Sequence, residues 1–158
     1  MIAGVLVREC ADRDVPAVVE LWKALMDMHG ELDPFFVRKD GAEEAFAKWI
    51  RDIISSEDGF VAVAEVGDEV VGYCLARISK CPPVLGIERY GELHDCFVRA
   101  DMRSEGIGSG LVERICCWYR SKGISRMEVR HSTRNPRAGE FWVKMGFAPY
   151  VRTLYRAP

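Results

Sequence analysis

Apolar positions along the chain recur with two periods, about 3.6 and 2 residues, and the places where one gives way to the other mark the elements. Val5-Leu6-Val7 reads as a short strand. Val15, Val18, Val19, Trp22, Leu25 and Met26 then fall on one helical face. Asp12 or Asp14 is the expected N-cap, Pro16 lies in the first turn, and Gly30 is the expected stop. HGELDPFFV, residues 29–37, is a loop. Asp40 followed by Glu43 resembles a capping box opening a second helix, with Phe46, Trp49, Ile50 and Ile53 inward. Residues 60–65 and 70–78 are β-rich runs joined across Gly67-Asp68, a hairpin turn. Cys81-Pro82-Pro83 ends that pattern, and 90–98 makes the next strand. A glycine-rich segment leads into a helix running to about Lys122, with Gly123 as its C-terminal signal. Residues 126–131 form a strand, Asn135-Pro136 opens the last helix, Gly146 closes it, and 150–156 is a final strand. The order β-α-α-β-β-β-α-β-α-β describes one mixed α/β domain, 1–158, without repeat or linker.

Composition narrows the class without changing it. With 158 residues, 49% hydrophobic and 29% charged, the chain is of globular type and long enough for its own core. No uncharged run approaches the roughly 18 residues of a membrane helix, and MIAGVLVREC meets Arg8 and Glu9 too early for a leader. A cytoplasmic protein with no membrane partner is expected. The six cysteines lack any C-x-x-C pair, and with three histidines they build no zinc pattern, so free thiols and no metal are expected. Net charge is −2, but residues 1–85 carry 9 basic and 16 acidic side chains, and residues 86–158 carry 13 and 8. A basic half suits phosphate. It also admits nucleic acid, which the aromatics at core spacing and a pI near 6.0 argue against.

Chemistry concentrates in HDCFVRADMRSEGIGSGL, residues 94–111. A strand runs into Arg103-Ser104-Glu105-Gly106-Ile107-Gly108-Ser109-Gly110, and a helix follows. Glycines let the backbone approach an anion, first-turn N–H groups point outward, and Arg103 adds a fork of donors. No Lys follows the glycines as a nucleotide-binding P-loop requires, and Leu111 stands where a dinucleotide fingerprint needs Gly. R-x-x-G-x-G after an antiparallel-type strand is what remains. It resembles the pyrophosphate-binding motif of the GNAT superfamily, the acyl-CoA-dependent N-acetyltransferases. NPRAGEFWVKMGF resembles that family's second motif at Asn135, Ala138, Phe141-Trp142, Lys144 and Gly146-Phe147, and the element order agrees over the whole chain.

The resemblance implies an α+β GNAT fold: a mixed, mostly antiparallel sheet of about six strands with helices on both faces. It implies acetyl-CoA as co-substrate, held by the 103–110 loop, by Asn135, Ala138, Phe141, Trp142 and Lys144, and by backbone at Cys96, Phe97 and Val98. An N–H near Cys96–Phe97 would serve the thioester oxygen. The expected activity is acetyl transfer to a primary amine by direct attack, without an acyl-enzyme. A protonated amine, with a pKa of about 10.4, must lose a proton first, which makes Asp95 and Glu92 the candidate bases. Alternation puts Asp95 and Phe97 on one face and His94, Cys96 and Val98 on the other. Many relatives carry Tyr at Trp142 as acid for the leaving thiolate; indole does not titrate usefully, and His131 is the substitute. His29, Glu31, Asp33 and Phe35 suit a cationic acceptor, a small-molecule amine or a protein amine. Only 11 residues follow Phe147, so one terminal strand is expected, with its open edge covered in a homodimer. The rival is a GNAT-fold module that binds acyl-CoA without turnover, as a sensor or assembly partner.

Overall fold

In the computed structural model, which describes residues 4–158, the Gly67-Asp68 turn closes the central hairpin, with Gly67 in the left-handed region at φ 61°. The first three residues of the stretch read against a leader lie outside the described part. The strands are β1 (Val5–Glu9), β2 (Gly59–Val66), β3 (Glu69–Lys80), β4 (Arg89–Val98) and β5 (Met127–Val129). They form one sheet in sequence order, antiparallel from β1 to β4, with β5 parallel to β4. Helices α1 (Val15–Leu32) and α2 (Ala42–Ile54) follow β1, α3 (Ile107–Ser121) follows β4, and α4 (Pro136–Lys144) ends the series.

Period-2 alternation in β2 and β3 divides the core. Val61, Val63, Tyr73 and Leu75 face α1 and α2, where Val15, Val18, Leu25, Phe46 and Ile50 meet them. Phe60, Ala62, Ala64, Cys74 and Ala76 face the opposite way, against Leu111, Ile115 and Trp118 of α3 and Trp142 of α4. Each large aliphatic side chain so buried contributes about 1.5–3 kcal/mol. The mixed sheet with helices on both faces is the expected class.

Several local expectations fail for identifiable reasons. The sheet has five strands instead of six among the described residues: 147–158 makes no ladder. β5 offers only three residues to pair with, Pro149 has no N–H to donate, and side chains hold the tail instead. The Tyr150 ring lies 4.5 Å under the Arg126 guanidinium, and Arg134 Nη2 donates to the Tyr155 hydroxyl at 3.2 Å. α1 runs through Gly30 to Leu32, where Pro34 stops it. The Asp40–Glu43 box does not form; Gly41 is the N-cap at φ 73°, and Glu43 instead accepts from Arg38 at 2.6 Å. Asp14 stands at the α1 N-cap but spends its carboxylate on the Ala11 N–H and the Arg8 guanidinium.

One glycine is dictated by contact. A Cβ on Gly91 of β4 would lie 2.4 Å from the ring of Tyr119, which is buried and anchored by its hydroxyl to the Arg77 carbonyl at 3.1 Å. Gly91→Ala is therefore expected to lower stability by about 1–3 kcal/mol in urea unfolding. Tyr119→Leu in the same chain should recover part of that loss, and Tyr119→Phe, which keeps the ring, should not.

Candidate active site

β4 and β5 stay together only where Gly91, Glu92 and Leu93 pair with Met127, Glu128 and Val129. β5 then ends, while β4 runs on to Val98, paired with β3 alone. At the parting the register jumps: Leu75 faces Asp95 but Ala76 faces Leu93, so His94 is an extra residue, a β-bulge.

The bulge reassigns the faces. Leu93, Cys96 and Val98 pack in the α3 core, and Gly91 lies under Tyr119. Phe97 packs in the α1–α2 core, and Asp95 accepts from the buried Tyr73 hydroxyl at 3.0 Å on that side. His94 turns the same way, its ring edge-on to Trp49 of α2 at 5.7 Å. The expected grouping of His94 with Cys96 and Val98 is thus corrected: an added residue lets two successive side chains share a face. Glu92 also lies there, accepting from Ser79 Oγ and, at 2.9 Å, from Tyr90 Oη, with His94 Nε2 3.9 Å away.

The Arg99 N–H donates to the Val71 carbonyl at 2.9 Å, which makes that opposed pair hydrogen-bonded. Down an antiparallel ladder such pairs alternate, so Tyr73–Phe97 and Leu75–Asp95 are hydrogen-bonded pairs too. Cys96 and Val98 therefore direct their N–H and C=O away from β3, into the gap that β5 vacates. Arg103 Nε occupies the Val98 carbonyl at 2.9 Å, and its guanidinium stands 5.2 Å from the Phe97 ring centre.

Electrostatics separates the two carboxylates. Burial pushes Asp95 up to about 6, against the Tyr73 hydrogen bond, which favours its charged form. Burial acts on Glu92 in the same sense. There the Ser79 and Tyr90 hydrogen bonds, with His94 and Arg130 nearby, win and hold it below the usual range. Burial depresses His94, Glu92 opposes, and Arg77 and Arg130 add to the depression.

Beyond β4 the chain makes a cradle. Ser104 at φ 70° and Gly106 at φ 81° reverse the backbone, and α3 starts at Ile107 with no capping side chain and no acidic residue in its first turn. Its first intrahelical bond is Gly110 N–H to Gly106 carbonyl, so the N–H groups of 107–109 are available to an anion at the positive helix end. A Cβ on Gly108 would stand 3.4 Å from Phe141 of α4, which places the second motif against the first. Asn135 Oδ1 accepts from Ala138 N–H at 3.1 Å as N-cap; Trp142 is buried between Phe141 and Phe147; Lys144 is exposed in the last turn.

The remaining candidates scatter. His131 lies exposed past β5, packed on Gly139 with Nδ1 3.1 Å from the Ser132 carbonyl oxygen. Asp33 is engaged, accepting from Phe35 N–H and Arg134 Nη1, each at 2.9 Å. His29 is tilted on Phe36, its ring centre 5.3 Å away, and burial depresses its pKa; Glu31 and Phe35 are exposed. Tyr73, Ser79, Tyr90 and Trp49 escaped sequence reasoning as site residues. The β3–β4 register brings Tyr73 to Asp95 and Ser79 to Glu92, Tyr90 reaches Glu92 from two residues along β4, and Trp49 of α2 packs on His94. Among the described residues no cluster suited to a metal ion and no helix long and apolar enough to cross a membrane occurs.

Comparison with known proteins bears on the family and the fold. The model of the acetyltransferase (GNAT) family matches residues 21–147. An uncharacterized N-acetyltransferase of Methanocaldococcus jannaschii is 26% identical over 149 residues, covering 93% of this chain; the chain spans only 62% of that relative's length. One from Archaeoglobus fulgidus is 29% identical over 137 residues, covering 84% of this chain and 86% of its own. A Bacillus halodurans protein, solved as a tetramutant, superposes with TM-score 0.83 at 18% identity, over 97% of this chain and 99% of its own. An aminoglycoside N-acetyltransferase solved with CoA gives 0.76 at 17%, over 98% and 94%. At these identities the structural likeness is one of fold.

Because burial raises Asp95, its charge opposes folding once the pH exceeds the ordinary aspartate value, and the penalty grows until the folded group has itself ionised near pH 6. Asp95→Asn should therefore stabilise the protein at pH 7.5, by up to about 3 kcal/mol, and the gain should vanish below pH 4. Urea unfolding across that pH range measures it.

Proposed function

The chain belongs to the GNAT family of acetyltransferases, and from that premise we propose that it transfers the acetyl group of acetyl-CoA to a primary amine. The observation that carries this reading is the meeting, at one point of β4, of a Cys96 N–H turned into the gap beside the strand and, on the α1–α2 face next to it, a carboxylate of raised basicity at Asp95. The residues fit such a co-substrate: the uncapped first turn of α3 and Arg103 suit a pyrophosphate, and the gap beside Cys96 and Val98 suits an amide-bearing arm. Bound acetyl-CoA supplies the thioester carbon that the amine attacks.

The roles of the chain's own groups follow. Glu92, held charged, draws a cationic amine to the α1–α2 side, where Trp49 packs against His94, and the end of α1 with His29 and Glu31, and Phe35 beyond it, serve as its outer contacts in this proposal. Asp95 takes the proton, directly or through one water, as the nitrogen commits to its new bond. The Cys96 N–H supports the oxygen that gains negative charge. Acetyl passes to the amine in one displacement, with no acetyl group on the enzyme. A thiolate of pKa near 8.5 leaves tolerably well unaided, with solvent or His131 as proton source. The aminoglycoside acetyltransferases of similar fold favour a small-molecule acceptor over a protein amine. A homodimer covering the outer edge of β5 belongs to the same proposal. Trp142 in place of Tyr favours the second reading, a module that binds acyl-CoA without turnover.

Calorimetric titration with acetyl-CoA, against adenosine triphosphate as control, tests the cradle first, and an amine screen separates the two readings. Micromolar binding of acetyl-CoA alone is expected; no binding overturns both. Arg103→Ala should weaken acetyl-CoA binding by about 1.5–3 kcal/mol in the same titration. With an amine in hand, kcat/KM should fall as pH drops through about 6, where Asp95 protonates. Tyr73→Phe removes a hydrogen bond to the charged form, so it should move that limb to higher pH. Asp95→Asn should lower kcat/KM by about 10²–10⁴-fold. A pH profile unmoved by Tyr73→Phe would take the base role from Asp95.

A further inference from the structure

Two cysteines that the transfer reaction does not consume face each other across the sheet. Cys74 of β3 and Cys96 of β4 are direct partners in the ladder. Counting from the hydrogen-bonded Val71–Arg99 pair, theirs is a non-hydrogen-bonded pair, the kind whose Cα atoms lie about 4.5 Å apart with side chains closest. Both side chains point to the α3 side: Cys74 is wholly buried in that core, and Cys96 packs on its edge. A disulfide accepts Cα separations of about 4.4–6.8 Å, so the pair lies within reach without refolding. All six cysteines are free thiols.

We propose that Cys74 and Cys96 form a peroxide-oxidisable dithiol, closing to a disulfide that clamps β3 to β4 where β4 parts from β5. Cys96 is the sulfur that an oxidant reaches, because it is half-buried at the gap and Cys74 has no exposure at all. The Cys96 sulfur attacks one peroxide oxygen, the O–O bond breaks, and the other oxygen leaves as water, giving a sulfenic acid. The Cys74 sulfur then attacks the Cys96 sulfur; the S–O bond breaks, and hydroxide leaves as water with the Cys74 proton. Two thiols lose two electrons and one peroxide becomes two waters. Burial raises the Cys74 thiol well above its ordinary pKa, which protects it from direct oxidation, and its proton is given up to the departing hydroxide in the resolving step. A small dithiol reductant reverses the bond by exchange. The pairing is set by the register and the order of attack by the exposure of Cys96, and neither depends on the proposed transfer reaction.

Trypsin provides a clean test. Cys74 falls in peptide 52–77 and Cys96 in peptide 90–99, and neither contains another cysteine. The folded full-length protein is treated with hydrogen peroxide, its remaining thiols are alkylated, and the unreduced digest is weighed. The expected product is 52–77 joined to 90–99 in most molecules, lost on treatment with dithiothreitol. In Cys96→Ser, a change at the half-buried partner, Cys74 should stay a free thiol at the same peroxide dose. Cys96 found as sulfinic acid with Cys74 alkylatable would overturn the proposal. So would a joined peptide that forms only after urea unfolding.

Discussion

A regular strand sends alternate side chains to opposite faces, so an unbroken β4 would put Glu92 with His94 and Cys96 and leave Asp95 on the other side. The extra residue at His94 prevents that. On the near side of it Leu93 drops into the α3 core, and on the far side Phe97 enters the α1–α2 core. Tyr90, Glu92, His94 and Asp95 are left together on the side that α2 overlooks. The same slip turns the backbone groups of Cys96 and Val98 toward the gap beyond β5. One inserted residue thus sets two carboxylates on one face and a free strand edge beside them, and the two apolar cores clamp the bulge from both sides.

Asp95 shows what this arrangement costs. Its carboxylate lies beside the fully buried Tyr73, with the Tyr73 hydroxyl as partner, and burial outweighs that bond. Nearby Glu92 has two hydroxyl donors and lies below its ordinary range. Two acids of similar chemistry, three positions apart, are driven in opposite directions by their number of donors and their depth. An isolated fold gains nothing from the raised one. A site that must take up a proton near neutrality gains a base of suitable strength.

The elements were legible because each is written in its own residues: Asn135-Pro136 for a helix start, Gly67-Asp68 for a hairpin, Gly106 and Gly108 for a close backbone approach. The gathered loop 103–110 was legible for the same reason. Features that depend on two segments at once were not. Residues 81–88 leave the β3–β4 register open, so neither the bulge, nor Tyr73 beneath Asp95, nor Cys74 opposite Cys96 is encoded locally. The Asp40–Glu43 signal misled because Arg38 competes for Glu43 and Gly41 supplies the left-handed turn instead. The terminal strand misled because a β-rich composition does not create a partner, and β5 is too short to be one.

Trp142 illustrates how packing constrains chemistry. It is buried at the seam of α4 and the sheet, edge-on to Phe141 at 4.9 Å and to Phe147 at 5.3 Å, and Phe141 in turn abuts Gly108 at the start of α3. Those rings therefore connect the last helix to the anion cradle through continuous apolar contact. A hydroxyl at that position would need a partner within the cluster, whereas an indole fills the volume with ring and presents a single donor. On the proposed reading, tryptophan here gives up the acid that many relatives carry and keeps the packing behind α3. In the proposed reaction that exchange is tolerable only if the leaving group is stable as an anion. A thiolate of pKa near 8.5 meets that condition where an alkoxide would not.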